Sequence, residues 1–106
     1  MTETKIYVGL NDRTTLEQRF ETEKYVKILK EVCKSYHTAF SFSVSQGGYF
    51  HENGEYTQEN TLVLSLVDAD PVIIEEISKD LCAFFHQESV MVTEAPVSMR
   101  FVKETL

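Results

Sequence analysis

Apolar residues along this chain fall into periodic stretches that switch between the two-residue repeat of strands and the three-and-four spacing of helices. Ile6 and Val8 share one face and Tyr7 takes the other, which predicts a short central strand over Lys5–Gly9. Tyr25, Ile28, Leu29, Val32, Cys33 and Tyr36 form one stripe of a first helix, with Thr22 as its N-cap. Between them, Thr15-Leu16-Glu17-Gln18 has the form of a capping box. Phe20 lies out of phase with the stripe that begins at Tyr25, so Asn11 to Glu21 is expected to be a loop or short turn.

Strict alternation returns over Thr38–Ser45, with Phe40, Phe42 and Val44 set against Ser41, Ser43 and Ser45. A second alternating run, Thr61–Val67, turns Leu62, Leu64 and Leu66 inward and is expected to pair antiparallel with the first. Gly47-Gly48 admits another group close to the backbone, and Asn53-Gly54 is a hairpin signal of the two-residue type. Asp70-Pro71 starts a second helix, with aspartate as N-cap and proline in the first turn. Its expected core stripe is Ile74, Ile77, Leu81, Phe84 and Phe85. A last strand is expected over Ser89–Glu94, interrupted at Pro96 and continued by Val97–Val102 as an edge or bulged strand.

The order strand, helix, strand, strand, helix, strand is the split βαβ arrangement. It predicts an α+β, ferredoxin-like two-layer sandwich over residues 1–106 as one domain, four antiparallel strands carrying both helices on one face. Such a fold determines no function by itself. Ser41, Ser43, Ser45, Val63 and Ser65 would lie on the open sheet face, where a homodimer or higher homo-oligomer would bury them.

With 106 residues, 42% of them hydrophobic, the chain can bury a core without disulfide staples. Cys33 and Cys82 fall on helix faces beside Val32, Leu81 and Phe84, where a thiol acts as a small core hydrophobe. The sequence contains no apolar run long enough for a membrane span and no leader or lipidation motif, which makes the cytoplasm the expected compartment. A formal net charge of −7 argues against long nucleic acids, which bind by neutralisation of many phosphates. A small anionic ligand needs only a local cluster of donors.

No G-x-S-x-G elbow places a base beside a nucleophile, and His37, His51 and His86 lack metal-ligand spacing. The phosphate loop and the dinucleotide fingerprint are absent, so no metal or cofactor is expected. Tyr7 alone could stack a base on a central strand, too little for an RNA-binding sheet.

Polar groups are instead expected to meet at strand ends: His86, Gln87, Glu88 and Ser89 where the second helix hands over to the last strand, and Glu59 at the start of the third. Amides and carboxylates can read a base edge or ribose hydroxyls, and Tyr49 or Phe50 could stack on a ring, with His51 beside them. The alternative for Gln87, Glu88 and Ser89 is a purely structural helix cap. Arg100 in the last strand is either a phosphate clamp or an edge gatekeeper against aggregation.

Tyr7-Val8-Gly9-Leu10, Gly48-Tyr49, Asn53-Gly54, Glu59-Asn60-Thr61-Leu62 and Phe85-His86-Gln87-Glu88-Ser89-Val90 together resemble a small bacterial and phage domain family of unknown function. The chain is also similar to phage anti-Thoeris sponge proteins, which sequester a cyclic ADP-ribose isomer, and to related sponges for cyclic oligonucleotides. That resemblance implies a multimer that binds an anionic nucleotide signal without degrading it. His86 would then hold the polar slot at the helix end, Arg100 the phosphate, and Tyr49, Phe50 or His51 the stacking or gating place. It further implies a phage protein acting in the host cytoplasm.

The leading expectation is therefore a non-enzymatic, homo-oligomeric binder of a small nucleotide-like signal. Two alternatives stand beside it: a protein-interaction module or inhibitor with an acidic surface, and a small enzyme using Glu59 or Glu88 as general base.

Overall fold

The computed structural model describes residues 1–105. The elements run β1 (Thr2–Gly9), α1 (Thr22–Ser35), β2 (Ser41–Phe50), β3 (Tyr56–Val67), α2 (Pro71–Phe84) and β4 (Met91–Pro96). All pairings are antiparallel and the strand order is β2-β3-β1-β4, with both central strands, β3 and β1, long and aligned from Gly9↔Thr61 to Glu3↔Val67. This is the ferredoxin-like α+β sandwich expected from the pattern.

Register explains the core. Phe42, Leu64, Ile6 and Val92 line up across the four strands on one face, as do Val44, Leu62 and Val8 in the next row. The helices cover this face: Tyr25, Leu29, Val32 and Cys33 from α1 meet Ile74, Ile77 and Leu81 from α2 in a single buried cluster. Tyr25 and Phe85 pack edge to face at 5.1 Å. The other sheet face carries Tyr7, Val63, Ser65, Ser43 and Met91, as the alternation requires.

Asp70 caps α2 as expected, its Oδ1 accepting from the Val72 N–H at 2.8 Å, with Pro71 at the first helical position. Thr22 does not cap α1; it is the first helical residue, and Glu21 takes the cap position without a side-chain bond. Phe84 is also misplaced in the expected core stripe. It points to solvent, while Phe85, one helical step later, is buried at the helix end.

The strands differ most from the sequence expectation. β2 and β3 run on to Phe50 and Tyr56 because Gly47-Gly48 does not interrupt pairing; Gly48 sits opposite Gln58, and the Tyr56 ring lies where a Cβ on Gly48 would be. The close approach expected at the glycines is thus made by the protein's own tyrosine. The turn is a five-residue loop over 51–55, in which only Gly54 has positive φ, at +87°; a two-residue turn of the type expected would need Asn53 there as well. The resulting hairpin reaches well beyond the helices: the Cα radius of gyration is 15.7 Å, against about 13 Å expected for a chain of this length. β4 ends at Pro96, and Val97–Val102 forms no strand. Among the described residues, no helix is long and apolar enough to cross a membrane. Both cysteines are free thiols, and burial pushes the Cys33 thiol up to about 11.

Candidate functional site

A cleft of about 330 Å³ opens where β1 ends, β3 enters the sheet body and α2 turns into β4. Its walls come from three separated segments: the loop after β1 with Asn11, Asp12, Arg13 and Leu16; the hairpin with Tyr49 and Glu59; and the turn with Gln87, Glu88 and Ser89.

Glu59 is placed by backbone. Its carboxylate lies over Gly9, so close that a Cβ there would stand 2.6 Å from the carboxyl atoms, and its Oε2 accepts the Asn11 N–H at 3.0 Å. Only glycine leaves that room. Asn11 in turn donates through its side-chain amide to the Gln58 carbonyl at 3.2 Å. Next to Glu59 on β2, Gly47 leaves open space where a side chain would stand.

The loop is tied from its own side by Asp12, which is 3% exposed. Asp12 Oδ1 accepts from the Thr14 and Thr15 N–H groups at 2.7 and 3.1 Å, an Asx-type arrangement that closes the loop on itself. Its Oδ2 accepts from His86 Nδ1 at 2.7 Å, and the Arg19 guanidinium stands at 3.7 Å. The hydrogen bond from His86, joined by the two backbone amides and opposed by burial, lowers the Asp12 carboxyl from 3.8 to about 2. Asp12 is therefore ionised, and the shared hydrogen belongs to Nδ1 of His86.

The turn after α2 is sewn to the same loop. Gln87 donates to the Asn11 carbonyl at 2.6 Å, and the Arg13 N–H donates to the His86 carbonyl at 3.1 Å. His86 holds a left-handed backbone, φ +52°, which for a residue with a side chain needs support of this kind. Further back, Gln18 accepts from the Asn60 side chain at 2.9 Å. The segment from Asn11 to Glu21 is thus fastened to β3 and to the α2–β4 turn at several points, the arrangement of a wall and not of a free lid.

Of the residues that the sequence pattern singles out, Tyr49, Glu59, Gln87, Glu88 and Ser89 line the cleft. His86 lies behind it, turned to Asp12. His51 packs edge-on to Tyr49 at 5.0 Å with its Nε2 2.7 Å from the Thr57 hydroxyl, so it braces the tyrosine. Phe50 points away, 73% exposed, its ring 5.2 Å from Tyr56. Arg100 is in neither the cleft nor a strand: it belongs to the segment after Pro96. The expected phosphate clamp is absent from the cleft, whose arginine is Arg13, a residue the pattern left unassigned. Asn11, Asp12 and Leu16 were missed with it. Their signal was modest: an Asn-Asp pair directly after a strand, followed by two threonines able to receive an Asx turn.

The electrostatic balance is acidic. Glu59 and Glu88 face the cleft, Asp12 lies in its wall already paired, and Arg13 is its one cation. A carboxylate pair beside a tyrosine ring and several amides can hold a cationic group, read a base edge, or remove a proton from carbon.

No protein-family model and no curated protein matches the chain. Solved structures do. A phage SAM lyase, determined in the apo state and in complex with S-methyl-5′-thioadenosine, superposes with TM-scores of 0.68 and 0.67, at 24% identity, over 89% of this chain and 78–79% of the lyase. CutA1 from Pyrococcus horikoshii matches with TM-score 0.58 at 12% identity, covering 95% of this chain and 87% of CutA1. A DUF3240 family protein from Shewanella baltica matches with TM-score 0.56 at 7% identity over 97% of both chains. These likenesses establish the fold. They also overturn one expectation: a chain read as non-enzymatic shares its fold, over most of its length, with an enzyme, the phage SAM lyase.

Proposed function

We propose that this protein is an enzyme of small-molecule metabolism that binds an adenosyl sulfonium compound, S-adenosylmethionine above all, and breaks its carbon–sulfur bond to release S-methyl-5′-thioadenosine. The observation that carries this reading is the charge of the cleft. Glu59 and Glu88 open into it with Arg13 as the only cation. An anionic nucleotide is repelled by such a site, whereas a sulfonium with an ammonium group beside it is attracted. The likeness to the phage SAM lyase supports the same substrate class.

In this reading Tyr49 stacks on the adenine, held edge-on by His51, and the amides of Asn11 and Gln87 read polar atoms of the nucleoside. The bond between sulfur and the carbon of the aminoacyl arm breaks with its electron pair going to sulfur, which turns the cation into a neutral thioether. The arm is completed in one of two balanced ways. Its own carboxylate attacks the carbon that sulfur leaves, closing a lactone, or a carboxylate of the cleft takes the neighbouring proton and an unsaturated amino acid results. Neither route consumes water or an oxidant. Glu59, fixed by Asn11 and Gly9, is the better placed to hold the developing geometry.

The test is incubation of the purified protein with S-adenosylmethionine, followed by chromatography and mass spectrometry of the products. Appearance of S-methyl-5′-thioadenosine, with Glu59→Gln and Glu88→Gln each reducing the rate at least about tenfold, supports the proposal; the lactone and the unsaturated amino acid are isomers of equal mass, so proton NMR of the second product, which shows vinyl protons only for the latter, distinguishes the two routes. Calorimetry on cyclic ADP-ribose isomers and cyclic di- and trinucleotides runs in parallel. No turnover and no affinity for S-adenosylmethionine or its thioether product, or tight binding of a cyclic nucleotide in their place, overturns it.

A further inference from the structure

The two edges of the sheet are unlike. β4 is six residues long and carries Glu94 and Pro96, features that discourage a neighbouring strand. β2 is ten residues long, from Ser41 to Phe50, without a charge or a proline, and its outer backbone groups have no strand to pair with among the described residues. An uncharged edge of this length is a template for a further strand.

The chain also holds a strand-like segment without a sheet. After Pro96 the sequence alternates Val97, Met99 and Phe101 with Ser98, Arg100 and Val102, and Met99, Phe101 and Val102 are 46%, 80% and 80% exposed. The Val97 N–H donates to the Met1 carbonyl at 3.0 Å and anchors the segment beside β1. From that anchor the chain's own β2 is three strand spacings away, roughly 14 Å. Crossing that distance would use about four residues at their fullest extension, so few of residues 98–104 would remain to pair.

We propose that residues 97–104 of one copy add as an outer strand to β2 of a second copy. The alternation sends Met99 and Phe101 to one side, toward the groove of about 430 Å³ between α1 and β2, where Val26 and Val44 are the apolar residues among Lys27, Lys30, Lys34 and two glutamates of α1. Val44 is half exposed there. Arg100 then projects on the opposite sheet face, the face that carries Glu59 of the receiving copy. Charge favours this arrangement. Two copies at −7 repel each other at range, but the donated segment carries Arg100 and Lys103 against Glu104, so the part of the chain that meets the neighbour has a positive balance. The serine-lined open face, where self-association was expected, is left uncovered. Because the donated tail and the receiving edge are different surfaces, the contact is head-to-tail, and successive copies close as a ring where the rotation between neighbours permits. The inference does not depend on the reaction proposed above.

Sedimentation velocity of the whole chain, of a chain ending at Pro96, and of Met99→Asp/Phe101→Asp tests it. The whole chain should sediment as an assembly at about 50 μM, and both variants as monomers with an unchanged circular dichroism spectrum; the point variant serves if the shortened chain does not fold. Val44→Asp, with its tail intact, should also fail to form a ring. Mixed with the chain ending at Pro96, it should form a dimer, since one supplies the tail and the other the edge. A monomeric whole chain, an assembly that survives loss of the tail residues, or a mixture that stays monomeric overturns the proposal.

Discussion

His86 and Asp12, 74 positions apart in the chain, share a hydrogen bond of 2.7 Å that joins the turn after α2 to the loop after β1. Through it, two segments with no regular structure become one wall, and Gln87 and Glu88 are presented next to Glu59. Since the carboxylate is ionised and buried, each of its oxygens has work: one holds the loop amides, the other the imidazole.

Acid should expose this dependence. The Asp12 carboxyl titrates near 3.8 when unfolded and about 2 when folded, so its contribution is fully present above pH 3.8 and is lost as pH falls through about 2. Denaturation midpoints measured from pH 6 to pH 2 should decline in that window for the native sequence. In Asp12→Asn they should start lower at pH 6 and lose that part of the decline.

Alkali acts with the opposite sign on two other groups. The Tyr36 hydroxyl donates to Asp80 Oδ2 at 2.6 Å, and that bond, with burial and the charge of Asp80, raises it from 10.0 to about 12; burial alone raises Cys33 from 9.0 to about 11. Both stabilise the fold fully below their unfolded values and lose that contribution as pH rises through the folded ones. Midpoints should therefore fall between pH 9 and 12, less steeply in Tyr36→Phe. At pH 8 iodoacetamide should modify Cys82, which is part exposed, and reach Cys33 only on unfolding.

Two glycine substitutions should separate site from scaffold. In Gly9→Ala the new methyl meets the end of the flexible Glu59 side chain, which can move away. Stability should change by no more than about 1 kcal/mol, while a displaced Glu59 should lower carbon–sulfur cleavage about tenfold to a hundredfold. In Gly48→Ala the methyl meets the hydroxyl end of the Tyr56 ring, which is 58% exposed and must swing aside, and unfolding free energy should drop by about 1 kcal/mol. Urea denaturation and a rate assay on each variant check both.

Within the core, Leu64 is fully buried between Phe42 and Ile6 in the strand register. Leu64→Ala should cost about 2–5 kcal/mol, read as a lower midpoint with an unchanged urea slope.

Sequence by itself was enough for the element order, the apolar faces of β1, β2 and β3 and the capped start of α2, because these follow from local periodicity and from the chemistry of Asp-Pro. It also marked Tyr49, Glu59, Gln87, Glu88 and Ser89, since runs of amides and carboxylates at strand ends are conspicuous in an alternating pattern. Strand lengths were not legible: pairing across Gly47-Gly48 is decided by Tyr56 covering a glycine from the opposite strand. Nor was Phe84 against Phe85, because the end of a helix does not reveal which of two adjacent rings meets Tyr25. Asp12 and Arg13 entered the cleft wall only through contacts with His86, far away in sequence, and Arg100 left the site because the strand it was assigned to ends at Pro96. Periodicity reports which face of an element is apolar; where that element stops, and which distant polar groups meet, depend on partners that only the folded chain brings into contact.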